Sequence, residues 1–148
     1  MKVKTRLAMI PILVGDQEGA LHFYTEKLGL EKRSDLSFGP GLRLLTVAPR
    51  GQRRPEIALV QPDMLVTSVG IPEQQGAQKV CWVFRTDDCR HMYEIWKARG
   101  VTFLNDPMQQ VYGIEARFVD PYGNIFALLE PSRKARALLG ERILGIAA

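Results

Sequence analysis

Histidine and cysteine are scarce in this chain, with two of each among 148 residues. His22 and His91 both fall on expected helices that coat the outside of the fold. Cys89 and His91 stand two apart, a spacing that turns two helical side chains away from each other. No Cys/His clip for zinc is spelled. Cys81 is expected on a strand and Cys89 on a helix, and neither has a thiol partner at a framework spacing. Missing too is any apolar run near the ~18 residues of a membrane-crossing helix. The opening "MKVKTRLAMIPILV" sets basic residues before apolar ones, but the apolar part is short, contains Pro11, and runs into a helix signal instead of a cleavage site. The expectation is a cytoplasmic protein with reduced thiols and no membrane partner.

What is present suits a globular domain. Apolar residues make up 46% and charged residues 24%, enough to bury a core and too apolar for disorder. The net charge of +4 is concentrated in Arg50, Arg53 and Arg54 and in Arg133, Lys134 and Arg136. No aromatic side chains are interleaved with these charges as a stacking platform requires, so they read as solvated surface and no nucleic-acid partner is expected.

Along the chain, "LAMIPILV" reads as a strand and Asp16 as the cap of a helix with apolar Ala20, Phe23, Tyr24 and Leu28 at helical spacing. Gly29 suits the position that ends it. "LRLLTVAP" and "PEIALVQP" read as strands around a loop, Arg50 to Arg54. Residues 63–78 carry Gly70, Pro72 and Gly76 and read as a linker or lid. Then the order restarts. "KVCWVFRT" is a strand, Asp88 caps a helix with Met92, Tyr93, Ile95 and Trp96 on one side, Gly100 ends it, and "VTFLND" is extended. "EARFVDPYGNIFALLEP" is a hairpin whose turn, Asp120 to Asn124, is built almost wholly of turn formers. A shift of 72 residues lays Asp16 on Asp88, Tyr24 on Trp96 and "LTVAPRG" on "RFVDPYG". The expected fold is α+β. Two βαβββ units, residues 5–62 and 79–131, form curved mixed sheets around a cup, followed by a C-terminal helical extension, 132–148.

The segments "VGDQEGALHFYTEKLGL", "FRTDDCRHMYEIWKARGVTF" and "FVDPYGNIFALLEP" resemble the vicinal oxygen chelate superfamily, which includes glyoxalase I, extradiol dioxygenases, fosfomycin-resistance enzymes and bleomycin-binding proteins. The resemblance covers residues 5–131. In chelating members it implies a His or Gln seven residues before the first capping Asp, a His or Glu seven before the second, and a Glu three after the Asn of the turn. Those positions here are Met9, Cys81 and Ala127. A thioether, a thiol and a methyl do not make the set of nitrogen and oxygen donors a hard divalent ion needs. Hence no metal and no other cofactor is expected. Glu130 cannot substitute for Ala127, because alternation turns it to the opposite face.

The family pattern turns Glu115 and Arg117 inward, and the half-repeat adds Arg43 and Leu45. Met9, Pro11, Cys81, Val83, Ala127 and Leu129 complete the expected lining, with Tyr112 near the mouth. This is a mostly apolar pocket with a few charged groups, the usual form of a small-molecule site. The reading is a metal-free protein that binds an apolar or amphipathic small molecule. The alternative is a lyase, isomerase or dioxygenase of the same superfamily, with rearranged ligands or with Glu115 as acid–base. The resemblance also implies a homodimer.

Overall fold

The computed structural model describes residues 5–62 and 80–137. The expected linker 63–78 and residues 138–148 of the extension lie outside the described residues. The chain divides into two compact units, Met1–Gly76 and Ala77–Ala148, each built on one mixed sheet.

In the first unit, β1 (Met9–Leu13) leads to α1 (Gln17–His22), followed by β2 (Glu31–Ser37), β3 (Arg43–Ala48) and β4 (Glu56–Val60). The Asp16 carboxylate accepts the Gly19 N–H at 2.9 Å and caps α1, satisfying a donor the helix itself leaves orphaned. From Phe23 to Lys27 the helix widens into a π-turn, in which the Leu28 N–H reaches the Phe23 carbonyl. Gly29, at φ 78°, then turns the chain out. The sheet order is β1-β4-β3-β2, with β1 parallel to β4 and the other pairs antiparallel. Its buried core is mainly aliphatic, with Ile12, Leu45, Val47, Ile57 and Leu59 beside Phe23 and Tyr24.

The second unit repeats the plan with β5 (Val80–Arg85), α2 (Cys89–Ala98), β6 (Thr102–Phe103), β7 (Met108–Gln110), β8 (Gly113–Val119) and β9 (Ile125–Pro131). β5 and β9 run parallel, and β8 pairs with β9, β6 and β7. Asp88 caps α2 through the His91 N–H at 3.0 Å. This core is aromatic. Trp96 of α2 lies 5.1 Å from Phe118 and 6.4 Å from Phe84, and Trp82 lies 4.8 Å from Phe126. Such edge and tilted contacts add to the burial of large rings. α2 therefore covers the face formed by Trp82, Phe84, Phe118 and Phe126.

Two local features bear on the site. The Asp120 carboxylate accepts the N–H groups of Tyr122 and Asn124 at 2.8 and 2.9 Å, and the Asn124 amide returns to its second oxygen. This turn locks the β8–β9 register, which runs without a slip from Gly113↔Pro131 to Val119↔Ile125. The strand expected at "VTFLND" is broken. Thr102–Phe103 forms the ladder, the Leu104 N–H still reaches the Arg117 carbonyl at 2.8 Å, β7 resumes at Met108, and between them the Asn105 side-chain oxygen accepts the Arg117 N–H at 3.0 Å. Pro107, which has no N–H to offer a ladder, sits inside the break. Residues 133–137 are helical, with Ser132 bonding the Ala135 N–H. Among the described residues no helix is long and apolar enough to cross a membrane.

Candidate functional site

Alternation leaves each sheet with one face turned away from its helix. In the second unit that face is set by two rows of register partners. One row is Val83↔Ala127↔Arg117, and the next is Arg85↔Leu129↔Glu115, with Met108 of β7 opposite Glu115. Of the residues the sequence nominates, Val83, Glu115, Arg117, Ala127 and Leu129 thus share one face of one sheet. Cys81 is exposed and sits where the β5–β9 register slips, between Val80 and Trp82.

The charged groups on this face are organised around Glu115, whose side chain is only 14% exposed. Its Oε2 accepts the Tyr112 phenol at 3.0 Å, and its Oε1 faces the Arg117 Nε at 3.4 Å. Partial burial first, and then the hydrogen bond to Glu115, pushes the Tyr112 phenol above its ordinary range, so it stays a donor. The Arg117 side chain is 49% exposed. Apolar surface flanks it: Val83 is 51% and Met108 52% exposed, while the Ala127 methyl is buried. Contiguous exposed apolar side chains beside a fixed charge are what a ligand surface presents. Two members of this face, Met108 and Arg85, escape the sequence reading. Met108 lies beyond the unforeseen break. Arg85 is reached by counting two from Val83, and it pairs with Asp87 at 2.7 Å.

In the first unit, Met9↔Glu56, Pro11↔Ala58 and Thr46↔Ala58 put Met9, Pro11 and Thr46 on the face away from α1. Arg43 and Leu45 lie on the other face, which corrects the half-repeat expectation. The Arg43 guanidinium reaches Glu18 of α1 at 2.6 Å and grips Asp35 at 2.7 and 2.8 Å, and Leu45, two residues on, is fully buried. The reason is an offset that changes along the chain. Val47 pairs with Ile57 as Phe118 pairs with Phe126, so the separation between equivalents is 71 residues on β3 and 69 on β4, against 72 at the capping Asp residues. One residue of slip turns a strand over. The counterparts of Glu115 and Arg117 are therefore Leu44 and Thr46.

A divalent metal, implied by the resemblance, does not fit this donor set. Met9 belongs to the first unit, and Cys81 and Ala127 to the second. Ala127 has no donor atom, and the two sulfurs suit soft ions. Among the described residues no group of three His, Cys, Asp or Glu side chains comes together. A cavity of about 460 Å³ does exist in the second unit, but at the end of α2, lined by Tyr93, Lys97, Val101, Phe103, Asn105 and Asp106 among others. There the Tyr93 phenol already joins Lys97 at 3.2 Å to Asp106 at 2.8 Å.

Comparison with known proteins agrees with this architecture. The family model of the Glyoxalase/Bleomycin resistance protein/Dioxygenase superfamily matches residues 6–128. The uncharacterized protein YetH of Bacillus subtilis is 30% identical over 125 residues, covering 84% of this chain and 98% of that protein. Among solved structures, UcmS2 is 34% identical with a TM-score of 0.72, over 86% of this chain and 99% of that one. TnmS3, an antibiotic binding protein from Streptomyces sp. CB03234, is 29% identical with a TM-score of 0.70, over 89% and 100%.

Proposed function

The chain belongs to the Glyoxalase/Bleomycin resistance protein/Dioxygenase superfamily, and on that footing we propose that it is a metal-independent small-molecule-binding protein that takes an amphipathic ligand on the helix-free faces of its sheets. One observation carries this reading. Where chelating relatives place a carboxylate, this chain has Ala127, buried between its register partners Val83 and Arg117. A site of three or four ligands that loses its carboxylate and offers two sulfurs in place of nitrogen or oxygen donors is poorly suited to Mg²⁺, Mn²⁺ or Fe²⁺. Val83, Met108 and Tyr112 instead supply apolar area, and Arg117 a polar anchor. Similarity to an antibiotic binding protein along nearly the whole of both chains supports the same reading.

Binding of this kind gains free energy from the apolar area removed from water, about 25 cal/mol per Å², and stabilises the native state by mass action. Cys81 and Leu129 belong to the proposed surface of the second sheet, and Met9 and Pro11 to the helix-free face of the first, each taken by itself. We place the protein in solution as a symmetric dimer, since β1 and β2 are edge strands of the first sheet and unpaired edges favour association.

A second reading makes Glu115 an acid–base group of a lyase or isomerase, favoured by its position on the same face as Arg117. Both of its oxygens already have protein donors, which suits an organiser of Arg117 better than a base. Elemental analysis of the purified protein, with a thermal-shift screen of divalent metals and of hydrophobic drug-like compounds, tests the choice. Upward shifts with the organic compounds and no stoichiometric metal are expected. A tightly held stoichiometric metal would overturn the proposal.

A further inference from the structure

The helix-free face of the second sheet carries more hydrogen-bond donors than acceptors. Arg117 uses its backbone N–H on Asn105 and its Nε on Glu115. Among the described residues its two Nη groups, the bidentate edge of the guanidinium, have no acceptor. Arg85 lies on the same face two strands away, and its Nε is buried and without a hydrogen-bond partner among the described residues. Glu115 meets only the Nε side of Arg117, and Asp87 only one Nη of Arg85. A buried donor left without an acceptor is costly. Two strand spacings across the sheet and a two-residue step along it put the two arginine backbones about 12 Å apart, within the combined reach of two extended side chains.

We infer that the ligand is an anionic amphiphile, whose carboxylate, sulfonate or phosphate oxygens complete Arg117 and Arg85 while its apolar body lies on Val83, Met108 and Tyr112. The inference rests on the proposed binding function and narrows it to a substrate class. Its logic inverts that of the chelating relatives. There the protein supplies negative groups and a bound cation joins them to the ligand. Here the protein supplies guanidinium N–H groups, and the negative charge arrives on the ligand. Guanidinium suits this because its planar fork meets two oxygens at once. Glu115 acts as a positioning residue, holding the Nε side of Arg117 so that the Nη edge points outward.

Two fluorescent probes with the same aromatic skeleton separate charge from apolar contact: 8-anilinonaphthalene-1-sulfonate, which is anionic at all working pH values, and neutral N-phenyl-1-naphthylamine. Both are titrated into the intact protein, with displacement of one by the other and the shift in Tm as further readouts. The sulfonate probe is expected to bind about tenfold or more tightly than the neutral one and to raise Tm, as two or three charge-assisted hydrogen bonds require. Arg117→Gln is expected to bring the two probes to within about threefold of each other while neutral-probe affinity holds. Arg85→Gln is expected to reduce the same preference, and it serves as the readout should the Arg117 variant not fold. Glu115→Gln, which keeps an oxygen for Arg117 and removes a competing negative charge, is expected to tighten the sulfonate probe only. Equal affinities in the unmodified protein, or a preference that survives both arginine substitutions, overturn the anionic class and leave the binding function standing. Failure of both probes to bind or to shift Tm counts against the binding function itself, and the inference falls with it.

Discussion

The Glu130 Oε1 accepts the backbone N–H of Cys89 at 2.9 Å, so the last strand of the second unit caps the helix that its first strand leads into. The carboxylate sits where the positive end of α2 is strongest, and it ties together elements 41 residues apart in sequence. Glu130→Ala leaves a half-buried N–H without an acceptor. A loss of about 1–2 kcal/mol is expected, with Glu130→Gln recovering part of it, read by urea denaturation. Probe binding at unfolding-free concentrations should not change, since Glu130 faces α2 and not the site.

Gly113 opens β8 at φ 148°, and a Cβ built there would lie 2.1 Å from the Glu130 carbonyl oxygen. Space and backbone both demand glycine. Gly113→Ala should cost at least about 2 kcal/mol. It should also loosen the neighbouring Tyr112–Glu115 contact, so both Tm and sulfonate-probe affinity fall. Gly123, at φ 86° with open space around its Cα, is the control, because substitution there strains only the turn.

Arg43 and Arg117 stand at neighbouring places in the naive repeat and should behave oppositely. Arg43→Met should lower Tm and leave probe affinity alone, and Arg117→Met should do the reverse. The Arg43 side also has a pH signature. Its hydrogen bond, above all, holds the Asp35 carboxyl below its ordinary value of 3.8. A carboxyl depressed in the folded state is protonated later than in the unfolded chain, so below about pH 4 unfolding takes up a proton and stability falls as pH falls. The Tm difference between the unmodified protein and Asp35→Asn should therefore be constant near neutral pH and close as pH drops below 3.8. Asp35 is exposed to solvent, so added salt should shrink that difference.

The two thiols should differ sharply. Burial, chiefly, pushes Cys89 up to about 11, and its sulfur contacts the Leu128 carbonyl at 3.6 Å. Cys81 is exposed. Iodoacetamide at pH 8 should label Cys81 in the native protein and Cys89 only after unfolding, as mass spectrometry of peptides would show. Bound sulfonate probe should slow labelling of Cys81, if that residue belongs to the ligand surface. Unchanged labelling would remove it from that surface.

The sequence spells out the elements better than their faces. Asp16 and Asp88 announce both helices, and Asp120 to Asn124 announces the hairpin, because caps and turns are local chemistry. Alternation is legible on β8, where Glu115 and Arg117 interleave with Ala116 and Phe118. It is silent on β3, where Leu44, Leu45, Thr46 and Val47 offer no polar side to choose. There only the repeat offset decides, and a fixed shift of 72 misses the one-residue change before β3 and the longer loop between β3 and β4. The break at residues 104–107 was hidden for a related reason. A side-chain amide stands in for a backbone carbonyl, and residue spacing carries no trace of that exchange. Arg85 shows no motif of its own; counting two from Val83 gives its face, and the β5–β9 register gives its row.

That amide has a consequence for how such a scaffold diversifies. Since Asn105 steadies Arg117 with a group at the end of a side chain, the stretch around Pro107 can grow or shrink without re-threading the neighbouring strand, provided one acceptor still reaches across. The rim of the proposed ligand surface is thus free to drift while its anchor stays fixed. Paralogues that accommodate differently shaped molecules should diverge at this seam first, and it is the natural place to graft new selectivity.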